Sequence, residues 1–90
     1  DLFATDWIKI FPNPFRNEVN LYFKAQTNGN AVISLWDAKG SLVTTRKIIP
    51  IQKDNIYYSD FPNVSKLSSG IYTLRFTDNL QKRSIKLIKH

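Results

Sequence analysis

The chain has 90 residues and a mass of 10.5 kDa, which makes one small domain with one core. It lacks Cys, which excludes a disulfide framework, a thiolate nucleophile and a Cys-ligated metal. Thirteen basic residues against seven acidic ones give a net charge of +6, open to anionic partners, and no apolar run is long enough to span a bilayer.

Apolar residues recur with period two, the spacing of half-buried strands. Ile8 and Ile10 alternate with Trp7, Lys9 and Phe11. Pro12-Asn13-Pro14 then forbids helix, because each proline restricts itself and the residue before it. Val19, Leu21 and Phe23 alternate with Asn20, Tyr22 and Lys24. Asn28-Gly29-Asn30 follows and reads as a hairpin turn that accepts positive φ. Ile33 and Leu35 alternate with Val32, Ser34 and Trp36 and lead into a second hairpin, Asp37-Ala38-Lys39-Gly40. Leu42 to Ile49 forms a fourth strand, which Pro50 is expected to end, and Asn55 to Ser59 forms a fifth. Asp60 to Gly70, with Pro62, Ser65, Ser68 and Ser69, reads as a long loop. Tyr72, Leu74 and Phe76 share one face of a sixth strand, and Asp78-Asn79-Leu80-Gln81 turns into a seventh around Ile85 and Leu87. Seven short strands punctuated in this way predict an all-β fold, a seven-stranded Ig-like antiparallel β-sandwich.

The inventory for catalysis is thin, and no enzyme activity is expected. The chain has a single His, His90, and a single Glu, Glu18. Neither a Ser–His–Asp arrangement nor a multi-imidazole metal site can be assembled from them. Glycine loops for phosphate and Asp/Asn spacings for calcium are missing, so no cofactor and no metal is expected. Trp7, Trp36, Tyr57 and Tyr58 can stack on sugars or bases if they face outward, whereas packing within and across strands is their ordinary use. The Gly-flanked aromatic run of RNA-binding sheets is absent, and no nucleic-acid partner is expected. Charge is concentrated late. Lys82, Arg83, Lys86 and Lys89 lie within residues 82–90, which hold no acid. Such lysines either deter foreign strands from an edge or form a recognition handle.

Four segments together resemble the C-terminal sorting domains (type A) of the type IX, or Por, secretion system. Phe11-Pro12-Asn13-Pro14-Phe15 resembles that family's aromatic-P-N-P opening. Asp37 to Val43 is similar to its D-x-x-G-x-x-V hairpin, with Asp37 and Gly40 in the motif positions. Leu67-Ser68-Ser69-Gly70-Ile71-Tyr72 is similar to L-x-x-G-x-Y, and Lys86-Leu87-Ile88-Lys89 to the basic, apolar last strand. Phe11 and Trp36 replace aromatic residues that differ in the family pattern. The physical reading of these positions stands beside the resemblance. The prolines stiffen an exit, Gly40 supplies a turn position, and Gly70 lets the chain enter its strand closely packed.

The resemblance implies an address rather than a catalyst. Residues 7–90 would be the sorting domain and residues 1–6 the remnant of a linker to a cargo domain on the N-terminal side. Its partners would be the outer-membrane translocon and a surface sortase that often removes the domain. The destination would be the cell surface or the medium, reached through the periplasm and outer membrane. Lys82, Arg83, Lys86 and Lys89 are then the expected translocon contacts. Without initiator Met or leader before Asp1, the chain reads as part of a longer protein. The alternative is a non-catalytic Ig- or fibronectin-like module that binds carbohydrate or spaces a secreted hydrolase or adhesin.

Overall fold

The computed structural model describes residues 6–61 and 63–90. Its strands, in chain order, are β1 (Ile8–Phe11), β2 (Val19–Lys24), β3 (Gly29–Trp36), β4 (Leu42–Ile51), β5 (Ile56–Phe61), β6 (Gly70–Thr77) and β7 (Lys82–Lys89). They make two antiparallel sheets, β1-β2-β5 and β4-β3-β6-β7. The period-two pattern explains why the sheets stack. Val19, Leu21 and Phe23 of β2 turn one way, and Ala31, Ile33 and Leu35 of β3 meet them with Tyr72, Leu74 and Phe76 of β6. Phe15, from the segment after β1, and Phe61, at the end of β5, close the core, both essentially inaccessible to water. Phe23 and Phe76 touch edge to face across it, with ring centroids 4.9 Å apart. The folded surface is 5504 Å², close to the ~5,400 Å² expected of this mass.

Three local expectations are corrected. Pro50 does not end its strand: β4 runs on to Ile51. It is tolerated because β4 is an edge strand with a register shift between Gly29 and Ala31, so Pro50 has no ladder bond to supply. Asn28-Gly29-Asn30 is not a hairpin turn. β2 and β3 belong to different sheets, so this segment carries the chain from one layer to the other. Asp60 to Gly70 is not all loop, because β5 continues to Phe61 and a short 3-10 turn forms over Val64–Lys66. Val64 is buried there and anchors the crossing.

The expected linker remnant, residues 1–6, lies outside the described residues except for Asp6. Asp6 is tied into the sandwich. Both of its carboxylate oxygens accept hydrogen bonds from the Arg83 guanidinium, at 2.8 and 2.6 Å.

Candidate functional site

The four sequence motifs are scattered along the chain, and the sheet registers bring them to one end of the sandwich. Gly70 pairs with Lys89, so β6 starts where β7 finishes. Trp36 pairs with Thr73 and with Leu42, which places the β3–β4 hairpin at the same end. The segment leaving β1 reaches this end too, because Phe15 forms a parallel bridge with Lys89. We call it the motif pole. The opposite pole holds Asp6, the β2–β3 crossing, the β4–β5 turn and the β6–β7 hairpin.

Asn13 is the joint between the first motif and the last. Its side-chain Nδ2 donates to the Lys86 carbonyl at 3.2 Å, and its Oδ1 accepts from the Ile88 amide at 3.0 Å. A carboxamide has the same donor and acceptor as a peptide group, so Asn13 takes the place of a neighbouring strand against the edge of β7. Two backbone bonds extend the seal: Phe15 N–H to the Ile88 carbonyl at 2.8 Å and His90 N–H to the Phe15 carbonyl at 2.9 Å. Pro12 and Pro14, both exposed, flank the amide within a segment entered through cis Phe11–Pro12 and Asn13–Pro14 peptide bonds. The ring of Phe15 drops into the core against Tyr72, centroid to centroid 6.0 Å.

The other two motifs build the neighbouring turns. Asp37 Oδ1 accepts from the amides of Lys39 and Ser41, both at 2.9 Å, and Gly40 closes the hairpin at φ 86°. Tyr72 turns its hydroxyl back to donate to the Ser68 carbonyl at 2.7 Å. That is the tyrosine corner of Ig-like sandwiches, and it explains the L-x-x-G-x-Y spacing. Leu67 is half-buried against the core. Gly70 is needed for a different reason from close packing. An added Cβ would meet nothing within 4 Å, but φ is 149°, where L-residues are strained. Between these turns lie two open clefts. One, of about 550 Å³, is bounded by Trp36, the hairpin, Ile71 and Arg75. The other, of about 320 Å³, lies between the hairpin and Ser68–Tyr72.

A family model described as a secretion-system C-terminal sorting domain matches residues 9–90 of this chain. The chain belongs to that family. It is a C-terminal sorting signal of the type IX secretion system, which implies a cargo ahead of it and export to the surface or beyond. Among solved structures, dimeric latent PorU from Porphyromonas gingivalis contains a similar fold. The match has a TM-score of 0.67 at 18% identity and covers 91% of this chain and 9% of that one. The sorting domain is therefore far shorter than the protein it resembles in fold. No individual curated protein matches it.

The four basic residues expected to be a handle on the sorting domain do not share one face. Successive strand residues face opposite ways, so Lys82 and Lys86 project from the sheet while Arg83 and Lys89 turn toward the core side. Lys89 is 7% exposed, and its amine donates to the His90 carbonyl at 3.0 Å. Arg83 is committed to Asp6 and lies over the Trp7 ring, 5.6 Å from its centroid. The Arg83 hydrogen bonds hold the Asp6 carboxyl down at about 2, and Asp6 in turn raises the guanidinium. Charge counting misses two further cations, Lys47 and Arg75, which face the same way as Lys82 and Lys86 because Lys47 pairs with Val32 and Arg75 with Ser84. The period-two rule, combined with strand order, would have found them.

The aromatic candidates divide by sheet face. Trp7 packs edge to face on Phe76 at 5.0 Å, and Tyr57 stacks on Phe23 at 5.4 Å, both against the core. Trp36 lies on the outer face of the four-stranded sheet beneath Arg75, whose guanidinium carbon is 5.0 Å from the ring centroid. Its indole N–H donates to Ser34 Oγ at 2.8 Å. Tyr58 is outward on the other sheet, in a ladder with Tyr22 and Phe11. Its hydroxyl donates to Asn20 at 2.7 Å, and partial burial with nearby Asp60 pushes the phenol pKa up.

Proposed function

We propose that residues 7–90 are the part of this protein that the outer-membrane translocon reads, and that the surface sortase afterwards separates them from the cargo within the preceding segment. The domain is then a substrate of the export machinery, and its work is to present a shape. One observation carries this reading. Phe11 to Pro14, Asp37 with Gly40, and Leu67 to Tyr72 converge with the end of β7 at one pole, and Asn13 bonds the earliest motif to the latest across 73 and 75 residues. A composite surface of that kind exists only in the folded domain. The pole that receives the chain from the cargo lies at the other end of β6, about 23 Å away for seven residue steps. The reader and the cargo therefore need not compete for space.

The route follows from the same reading: periplasm first, then passage of the outer membrane, ending at the surface or in the medium. The test is a fusion of the 90 residues to a periplasm-targeted reporter in a bacterium with type IX machinery. The expected result is reporter at the surface or in the medium. Reporter retained in the periplasm sinks the proposal. A carbohydrate-binding module is the second reading, favoured by the outward ladder of Phe11, Tyr22 and Tyr58. Glycan binding that disappears in Tyr58→Ala would support it.

A further inference from the structure

The outer face of the four-stranded sheet can be written row by row from the strand registers. Lys47, Val32, Thr77 and Lys82 form one row across the strands, and Thr45, Ser34, Arg75 and Ser84 the next. Leu42, Trp36, Thr73 and Lys86 form a third, and Ile71 with Ile88 completes the face at the motif pole. No carboxylate stands in any of these rows. Asp37 and Asp78 stand in the turns beside the face, Asp37 lining the cleft that Arg75 also lines, and each accepts two turn amides through Oδ1. Lys47, Arg75, Lys82 and Lys86 make no ion pair among the described residues. The face thus holds four cations outside any ion pair, Lys47 and Lys82 in the far row, Arg75 in the next and Lys86 beside the aliphatic surface of the motif pole, where Leu42, Ile71 and Ile88 are 51%, 49% and 40% exposed.

From this juxtaposition we infer that the outer face of the four-stranded sheet docks a protein surface with an acidic rim around an apolar patch. The inference deepens the sorting reading, because it names the chemistry of the partner that reads the domain. Charge complementarity selects the rim: like charges on a second copy of this chain would repel across the same face. The aliphatic rows select protein. A nucleic acid or an anionic glycan offers flat ring faces but no aliphatic patch to fit the Ile71–Ile88 pair, whereas a protein covers cations and aliphatic side chains alike. The size of the face sets the lifetime. Four strands by seven residues is roughly 400 Å² in projection, about half of the ~800 Å² per side typical of a stable complex. Contact on that scale is transient and steered by charge, which suits a domain that is handed on.

The test places a photo-crosslinking amino acid at Ser84, in the middle of the face, and at Ile56, outward on the other sheet, in cells that export the reporter fusion. The expected result is a discrete protein adduct from Ser84 and none from Ile56. The contacted peptide should contain Asp or Glu beside apolar residues. The adduct should fall at least tenfold in Lys82→Glu with Lys86→Glu, and persist in Lys24→Glu with Lys53→Glu, which changes net charge equally elsewhere. Thermal unfolding of both double variants confirms that each is folded. Equal loss in the two pairs overturns the inference, as does an adduct of lipopolysaccharide, of nucleic acid or of the chain with itself, or no adduct at Ser84. Export of the unaltered fusion is read in parallel. Its failure sinks the sorting reading, whereas the crosslink reports on the face alone.

Discussion

At the pole that receives the chain from the cargo, connections are closed turn upon turn. Asn28 accepts from the Lys53 amide at 2.8 Å through Oδ1 and from Asn79 Nδ2 at 2.8 Å through its carbonyl, so the β2–β3 crossing holds the two other turns together. Gly29 suits this place because φ is 123°, where an L side chain is strained, and an added Cβ would also displace the Asn79 side chain. At the motif pole the bonds instead join a loop to the edge of β7, and clefts stay open between hairpin, tyrosine corner and sheet. The difference separates two jobs that both need order. One end keeps the sandwich shut beside the start of the domain, and the other keeps the relief that the proposed reader would recognise.

The largest effect is expected from removing Lys86 to His90. That deletion takes away buried Leu87 and the partners of Asn13 and Phe15, and should abolish reporter export. Export unchanged by the deletion would place the signal elsewhere and remove the contrast between the poles. Phe15→Ala is next: truncating this fully buried ring should cost about 3–5 kcal/mol, read as a lower denaturant midpoint. The comparison is sharpest in a matched pair. Asn13→Ala removes two side-chain hydrogen bonds to backbone and Asn28→Ala removes one, and each should cost about 1–2 kcal/mol. Export measured at matched expression should fall only in Asn13→Ala. Equal losses would mean that export follows stability and not the motif surface.

The smallest effect concerns Asp6 and Arg83 at the cargo-side pole. The carboxyl is held down to about 2 from its ordinary 3.8 by the Arg83 hydrogen bonds. Its contribution is therefore complete above the unfolded value and is lost as pH falls through about 2. For so exposed a pair the amount is below about 1 kcal/mol. Acid titration of unfolding should show the loss between pH 4 and 2 in the natural chain, and Asp6→Asn should flatten it.

The strands were legible because burial on one face imposes period two on Val19–Leu21–Phe23 and Tyr72–Leu74–Phe76 alike. The Asp37–Gly40 hairpin was legible because its geometry is local, a carboxylate accepting amides two and four residues on. The β2–β3 crossing was not. Turn residues report positive φ but not which sheet the next strand will join. The seal of Asn13 on β7 depends on strand order and on residues 73 and 75 positions away, beyond the reach of local pattern. The basic group was half legible. Lys89 shares parity with buried Leu87, and Lys47 and Arg75 join the face only once β3, β4 and β6 are placed.

The carboxamide of Asn13 has one more consequence, in the timing of synthesis. β7 is the last strand of this domain to be made, and until it exists the Asn13 side chain and the Phe15 backbone lack these partners. A polypeptide whose translation stops short of β7 carries the P-N-P segment, the Asp37 hairpin and the tyrosine residue, yet cannot assemble them into one surface. Sealing the first motif with the seventh strand thus makes the address a receipt for a finished domain.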